Sequence, residues 1–123
     1  MTERTYILPA EQLPAWFTYP TGLRLLVSRG TVDFVVWHFP ETGWALRTYS
    51  HLKRRYEREL FPVAWRVGTD DCVCLEEGSG DTLKIINGYT SKGHETEHEF
   101  SSFWEWFRYA IEEMIELRGD DAT

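Results

Sequence analysis

The chain has 123 residues and a formal net charge of −7 at pH 7, from 20 acidic and 13 basic side chains. Its length suits one compact domain over residues 1–123, and a hydrophobic content of 42% excludes a disordered chain. The acidic balance lacks the basic footprint that nucleic-acid binding requires, so we expect no nucleic-acid partner. A protein with this charge is better suited to a basic partner.

The sequence also indicates the cellular compartment of the protein. Residues 1–11 are polar and mixed, without the apolar segment of a secretion signal, and no apolar run approaches the ~18 residues of a membrane span. The two cysteines, Cys72 and Cys74, are too close along a strand to bridge each other comfortably. These features predict a cytoplasmic protein with reduced thiols and no membrane partner.

The first half of the chain predicts two helices with a strand between them. Two prolines make residues 1–18 an irregular lead-in. Apolar residues at helical spacing predict a short helix over Tyr19–Gly30, and the β-branched and aromatic run Thr31–Phe39 predicts a strand. In Ala45–Leu60, apolar residues recur every three or four positions with Lys and Arg between them, which predicts an amphipathic helix.

The second half predicts a sheet followed by a helix. Short Gly-containing turns separate three strand-like runs, and turns of this length favour an antiparallel meander over parallel crossovers. A fourth run, HETEHEF, predicts another strand or an extended edge. The three runs are Phe61–Val67, Asp71–Glu77 and Thr82–Tyr89. We therefore predict an α+β fold: a mainly antiparallel sheet with helices packed on one face and a C-terminal amphipathic helix.

The last helix has the clearest pattern. In SSFWEWFRYAIEEMIELRG, an apolar stripe runs along the helix, and Ser102 with Glu105 fits a capping box at its start. The stripe consists of Phe103, Trp104, Phe107, Ala110, Ile111, Met114 and Ile115.

Three segments carry a resemblance to a known family. They are RYERELFPVAW, the adjacent acids before CVCL, and LKIINGYTSKGHE leading into FSSFWEWFRYAIEEMIE. Over about Tyr19 to Glu116 the chain resembles the SUKH superfamily, which includes bacterial immunity proteins and fungal cell-wall-synthesis regulators. The glycine-poor turn GTDDCV and the short first helix depart from the family pattern and indicate a divergent member. The resemblance implies a protein-binding module, in many bacterial members an antidote that blocks a toxin, and it carries over no catalytic residue.

Cys72, Cys74, His94 and His98 form a C-x-C…H-x3-H pattern whose residue types suit zinc. On a strand the two cysteines would share one face about 7 Å apart, so one ion could bind both only with distortion. The alternative is that both thiols are small core residues. A thiol nucleophile is disfavoured because neither cysteine begins a helix, where a thiolate would be stabilised. We predict no metal, no cofactor and no catalytic residue, with a zinc- or thiol-dependent enzyme as the less favoured alternative.

Asp70 and Asp71 invite comparison with a catalytic pair of carboxylates. Adjacent residues on a strand point to opposite faces, so these two do not converge on one bond. The spacing of DDCVCLEEGSGD also lacks the ligand pattern of a calcium loop. We expect Asp70 to shape the turn, and Asp71 to cap the strand or to pair with Arg54, Arg55 or Arg66.

The last helix offers a contact surface. Trp106 and Tyr109 fall outside the apolar stripe, with Glu113 between them in projection and Glu112 on the back of the helix. Aromatic anchors beside acids suit a basic partner, although core packing is the alternative for Trp106. The predicted partner-binding residues are Trp106, Tyr109, Glu112, Glu113 and Asp70.

These observations predict a non-catalytic protein-interaction module. The favoured role is an immunity protein that binds and blocks a toxin, with a basic toxin domain as partner. The alternative is a cytoplasmic regulatory or scaffold protein without a toxin partner.

Overall fold

The computed structural model describes the backbone of residues 5–122 and the side chains of residues 5–117. A short 3₁₀ turn at Ala10–Gln12 precedes three helices, of which none in the described part of the chain is long and apolar enough to cross a membrane. The helices are α1 (Thr21–Ser28), α2 (Thr42–Tyr56) and α3 (Phe103–Ala122). The strands are β1 (Asp33–Phe34), β2 (Trp37–His38), β3 (Leu60–Arg66), β4 (Asp71–Glu76), β5 (Leu83–Asn87) and β6 (Thr96–Phe100).

The six strands form one antiparallel sheet in chain order, from β1 to β6. Gly68 in the β3–β4 turn and Gly78 in the β4–β5 turn have positive φ angles, which glycine adopts at little cost. These turns join neighbouring strands directly, whereas α2 is inserted between β2 and β3. The predicted α+β fold with an antiparallel meander and a C-terminal helix is confirmed, and HETEHEF contributes strand β6.

The predicted strand Thr31–Phe39 is wrong as a single element. It is divided into β1 and β2 by a tight turn in which Val35 has a φ of 68°. The Asp33 carboxylate accepts a hydrogen bond from the Val35 N–H at 2.9 Å and so holds the turn. Valine rarely adopts positive φ, so the sequence offers no glycine or asparagine signal for a hairpin at this position.

Side chains of β4 alternate between two apolar clusters. Val73 and Leu75 belong to the main core, which contains residues of α1, α3 and the lead-in. Cys72 and Cys74 belong to a smaller cluster on the other side, which confirms that both thiols are buried core residues. This α2 cluster consists of Leu52, Tyr56, Leu60, Cys72, Cys74 and Ile86, with Trp44 and Trp65 packed against it. Helices therefore contact both faces of the sheet rather than one, because β4 is apolar on both faces.

Helix α2 ends at Tyr56, four residues earlier than the predicted Leu60. Glu57 has a φ of 56°, and a left-handed residue at this position terminates a helix. Lys53, Arg54 and Arg55 lie in the last turn, where positive charge is stabilised by the helix dipole. The early end lets the chain turn back into β3 and places Arg58 just before the start of that strand.

Arg58 joins two carboxylates across the sheet. Its guanidinium donates two hydrogen bonds to Glu76, both at 2.8 Å, and one to Glu95 at 3.0 Å. Glu95 is only 6% exposed, and Lys84 donates to Glu76 at 2.7 Å. The bonds from Arg58 lower the pKa of Glu76 to about 2, with burial opposing them. This group is a partly buried ion-pair network rather than a set of isolated surface pairs.

The predicted exposure of Trp106 is wrong. Trp106 is 0% exposed, and its ring packs edge-on against Trp37 with centroids 5.7 Å apart. Phe103, Trp106 and Ala110 form the buried line of α3, whereas Trp104 is 49% exposed. The apolar stripe is thus rotated toward Trp106 relative to the prediction. In WEW, two tryptophans two positions apart project about 200° apart around a helix, and periodicity alone does not say which is buried.

Candidate functional site

Negative charge is concentrated in the last two elements of the fold. Residues 95–117 contain seven acidic residues and one basic residue, Arg108. The formal net charge of the whole chain is −7. The exposed carboxylates of α3 form what we call the acidic face: Glu105, Glu112 and Glu116. Glu97 and Glu99 are exposed on the neighbouring strand β6. A surface of this kind attracts positively charged partners over a range of about 8–10 Å at physiological salt.

Strand β6 forms one edge of the sheet. Within residues 5–122 it pairs only with β5, and Thr96 to Glu99 are four consecutive exposed residues. A free strand edge presents unpaired backbone N–H and C=O groups, and charged side chains along it discourage pairing with another copy of the same chain. The same negative charges do not oppose pairing of this strand edge with a positively charged chain.

Tyr109 borders the acidic face on the side of β6. Its side chain is 37% exposed, and its ring stacks on His98 with centroids 5.9 Å apart and packs against Phe100 at 5.1 Å. Burial raises the pKa of Tyr109, and the nearby Glu113 carboxylate adds to the increase. The hydroxyl therefore stays protonated and remains a hydrogen-bond donor at the surface.

Glu113 lies next to the acidic face but is already engaged within the fold. It accepts one hydrogen bond from the Trp37 indole N–H and one from Arg66, both at 2.8 Å. The bond to Glu113 raises the pKa of Arg66, so the guanidinium remains charged. Of the acids predicted on α3, Glu112 is exposed and free to meet a partner, whereas Glu113 anchors α3 to β2 and β3.

Trp104, rather than Trp106, is the tryptophan of α3 that is exposed at the surface. It is half-exposed and borders a cleft of about 500 Å³ between the lead-in, the β4–β5 turn and the start of α3. Trp16, Glu76 and Asp81 also line this cleft. Around the helix, the ridge formed by Glu105, Glu112 and Glu116 lies between Trp104 and Tyr109. The outer side of α3 therefore presents three carboxylates and Arg108 between two exposed aromatic side chains.

Glu97 lies beside Asp71, where β6 approaches the start of β4. A hydrogen bond between the two carboxyl groups raises the pKa of Glu97 to about 7, and burial and charge repulsion add to the increase. The Asp71 Oδ1 atom is buried and accepts no hydrogen bond from an N–H or hydroxyl group of the described residues. The ion pair expected between Asp71 and an arginine is not formed in the described part of the chain, and Arg66 binds Glu113 instead.

This carboxyl pair makes stability depend on pH. Because the folded-state pKa of Glu97 lies above its ordinary value of 4.5, the folded state loses stability as pH rises from about 4.5 through 7. We expect Glu97→Gln to raise the free energy of unfolding at pH 8.5 by about 0.5–1 kcal/mol, a small gain because Glu97 is exposed and solvent screens its charge. Urea unfolding should show no such gain at pH 4. Glu99→Gln, on the same strand, is the control, and equal gains for both variants at pH 8.5 would contradict the prediction.

The four residues of the zinc hypothesis do not come together. The Cys72 and Cys74 sulfur atoms lie 3.7 Å apart in the α2 cluster, whereas His98 stacks on Tyr109 of α3, on the opposite side of the sheet. Within residues 5–117 no group of three or more His, Cys, Asp or Glu side chains is placed to hold a metal ion. Complete burial raises the pKa of the Cys74 thiol well above 9, which keeps it protonated and unreactive.

Asp70 lies away from the residues of α3, at the β3–β4 turn. The turn itself is held by Thr69, whose hydroxyl accepts a hydrogen bond from the Asp71 N–H at 3.1 Å, so the structuring role predicted for Asp70 falls to its neighbour. Asp70 lines a separate cleft of about 480 Å³ that runs along α2. Its aromatic walls come from α2, β3 and the loop after β5. No local sequence pattern predicts this cleft, because its residues are far apart along the chain.

No protein-family model matches the sequence, and no curated protein or solved structure matches the chain either. The functional conclusion therefore depends on the chemistry of the acidic face and the two clefts.

Proposed function

We propose that this protein is a non-catalytic protein-binding module whose acidic face binds a basic partner protein. The concentration of seven acidic residues against one basic residue in residues 95–117 carries the proposal. Exposed carboxylates at an interface accelerate association with a basic partner and select against acidic ones. No chemical step is assigned to the protein itself.

The role that we propose for this module is immunity: it binds a toxin and blocks it, in the cytoplasm. Two considerations support that role. The resemblance to the SUKH superfamily implies it, and toxins that act on nucleic acid carry the basic surface that phosphate binding requires. A binder that presents carboxylates to such a surface competes directly with the substrate phosphates.

Within this interface, different residues have different tasks. Tyr109 and Trp104 are exposed aromatic side chains of the type that supplies most of the binding energy at interfaces. Glu112 and Glu116 are exposed and steer the partner during approach. Trp106 is excluded as a contact residue by its complete burial, and Glu113 contributes by holding α3 in place.

A charge-reversal experiment in the native host tests the proposal. Tagged wild-type protein and the variant Glu112→Lys with Glu116→Lys are used to capture partners from the host, and the affinity of the captured protein is measured at two salt concentrations. We expect the variant to bind at least about tenfold more weakly at low salt, with a smaller difference at high salt. The captured protein should be toxic when produced alone, and the wild-type protein should inhibit it.

The matched control is Glu11→Lys with Glu41→Lys, which changes the charge equally at exposed positions away from the acidic face. This control should retain the partner. Equal affinity of the two double variants for the captured protein would refute the acidic face as the interface. A partner with no toxic activity would refute the immunity role and favour a regulatory or scaffold function.

A further inference from the structure

The cleft along α2 has the size and walls of a small-molecule site. Its volume of about 480 Å³ lies within the ~300–1,000 Å³ typical of ligand pockets. Trp44 of α2 and Trp65 of β3 form one wall, with ring centroids 6.3 Å apart. Tyr89, 63% exposed, stands in the loop after β5 and packs on His51 at 4.9 Å. Leu52, Cys72 and Gly88 are also among the lining residues.

The helix that forms one wall of this cleft is basic, unlike α3. Helix α2 contains four basic residues and no acidic one, although the chain as a whole is acidic. Arg47 is exposed on the cleft side of α2, and one guanidinium nitrogen lies 3.2 Å from the position a Cβ would take at Gly43. Two acids also line the cleft: Asp70, at the rim, and Asp71, whose carboxyl group is paired with Glu97.

The wall of the cleft that contains Gly88 and Tyr89 is held in place by hydrogen bonds to α2. Arg55 donates to the carbonyl oxygens of Tyr89 and Thr90, at 3.0 and 3.1 Å. The His51 Nε2 atom lies 2.8 Å from the Gly88 carbonyl oxygen, and because a carbonyl only accepts, Nε2 carries the proton. His51 Nδ1 is therefore the ring nitrogen left for a ligand. Such a pre-organised wall lowers the entropy cost of binding.

We propose that this cleft binds a nucleotide: a planar base stacked on the aromatic walls and a phosphate group bound by Arg47. Aromatic side chains beside basic residues are the combination by which proteins bind unpaired nucleotides. Asp70 supplies an acceptor for the amino group of the base. The same chemistry is present in a free nucleotide and in a single-stranded nucleic acid. This site is separate from the acidic face and does not depend on the partner protein proposed above.

Calorimetric titration of the full chain distinguishes a free nucleotide from a single-stranded nucleic acid as the ligand. The probes are AMP, adenosine, ribose 5-phosphate and a ten-residue oligothymidylate. We expect AMP to bind with a Kd on the order of 10–100 µM, and adenosine and ribose 5-phosphate to bind at least about tenfold more weakly. Tighter binding of the oligonucleotide, with steep salt dependence, would support the same chemistry and identify a strand as its source. Absence of binding by both AMP and the oligonucleotide at millimolar concentration would overturn the proposal, as would equal binding of adenosine and AMP.

Two exposed substitutions locate the site. Tyr89→Ser removes the exposed aromatic ring of the cleft, and Arg47→Glu reverses the charge of the side chain that binds the phosphate. Each substitution should weaken AMP binding about tenfold or more. The matched controls are Tyr109→Ser and Arg29→Glu, which are exposed positions outside the cleft. Gly88→Ala serves as a third test: the added methyl would meet Leu52 and the Asp70 carbonyl oxygen at 3.7 Å, without collision, and it narrows the cleft. Binding that is lost equally in the controls, or kept in all three cleft variants, would refute this location.

Discussion

Replacing Arg58 with methionine is expected to lower the free energy of unfolding by about 3–5 kcal/mol, because it leaves a buried carboxylate without its cation. Glu95 is 6% exposed and loses a 3.0 Å bond, and Glu76 loses both bonds to the guanidinium. Burial alone would raise the pKa of Glu95, but bonds from backbone N–H groups and from Arg58 lower it, so it is ionised at neutral pH. Urea unfolding at pH 7, monitored by tryptophan fluorescence, measures the loss.

Lys92→Met is the control for this substitution. Lys92 pairs with Glu57 at 3.2 Å, but both side chains are exposed, and such pairs contribute about 1 kcal/mol or less. Adding Glu95→Gln to Arg58→Met should restore part of the loss, since the buried charge is then removed. If Arg58→Met costs no more than Lys92→Met, the network does not stabilise the fold.

The same network predicts how the protein responds to acid. The pKa of Glu76 is lowered to about 2, below its ordinary value of 4.5. A carboxylate of this kind contributes stability that is complete above pH 4.5 and is lost as pH falls through about 2. The difference between wild type and Arg58→Met should therefore shrink over that interval.

Replacing Gly22 with alanine is expected to cost about 1–3 kcal/mol, because α1 and α3 cross too closely at this point for a methyl group. A Cβ at Gly22 would lie 2.6 Å from Cδ2 of Phe103 and 2.8 Å from Cζ2 of Trp104. Phe103 is buried and cannot move away without disturbing the core, so the two helices must separate. Thermal and urea unfolding should both show the loss.

Gly43→Ala is a closely matched control, since Gly22 and Gly43 are each the second residue of a helix. The nearest group to a Cβ at Gly43 is a guanidinium nitrogen of Arg47 at 3.2 Å, the end of a flexible and exposed side chain. There the higher helix propensity of alanine should stabilise the protein by up to about 1 kcal/mol. Similar effects of the two substitutions would show that no close helix crossing exists at Gly22.

Patterns that depend on neighbouring residues predicted most of the fold. The meander follows from short turns between apolar strands, and β4 was expected to bury both cysteines because alternate residues share a face. The sequence does not predict the division of Thr31–Phe39 at Val35, since valine rarely adopts the positive φ that a hydrogen bond to Asp33 holds there. The choice between Trp104 and Trp106 was also missed, since both fit an apolar stripe until Trp37 is placed against one of them.

The candidate sites were less accessible to prediction than the fold. Tyr109, Glu112 and Asp70 are exposed as expected, but Asp70 lies in the cleft along α2 and the other two lie on α3. The whole-chain charge of −7 hides the difference between a basic α2 and an acidic C-terminal region. The total charge predicts no nucleic-acid partner, and that expectation stays a prediction; a site as small as the cleft responds to the charges within about one Debye length.

Local sequence patterns are sufficient to assign the fold class: short turns, strand alternation and the last helix indicate an α+β domain, and residues 95–117 contain seven acidic residues and one basic residue. Contacts between distant segments fix which tryptophan is buried, which acids of residues 5–117 are exposed, and where three segments enclose a cleft. The physical reason is that periodicity depends on backbone geometry a few residues long, whereas burial and charge pairing depend on side chains that folding brings together from far along the chain.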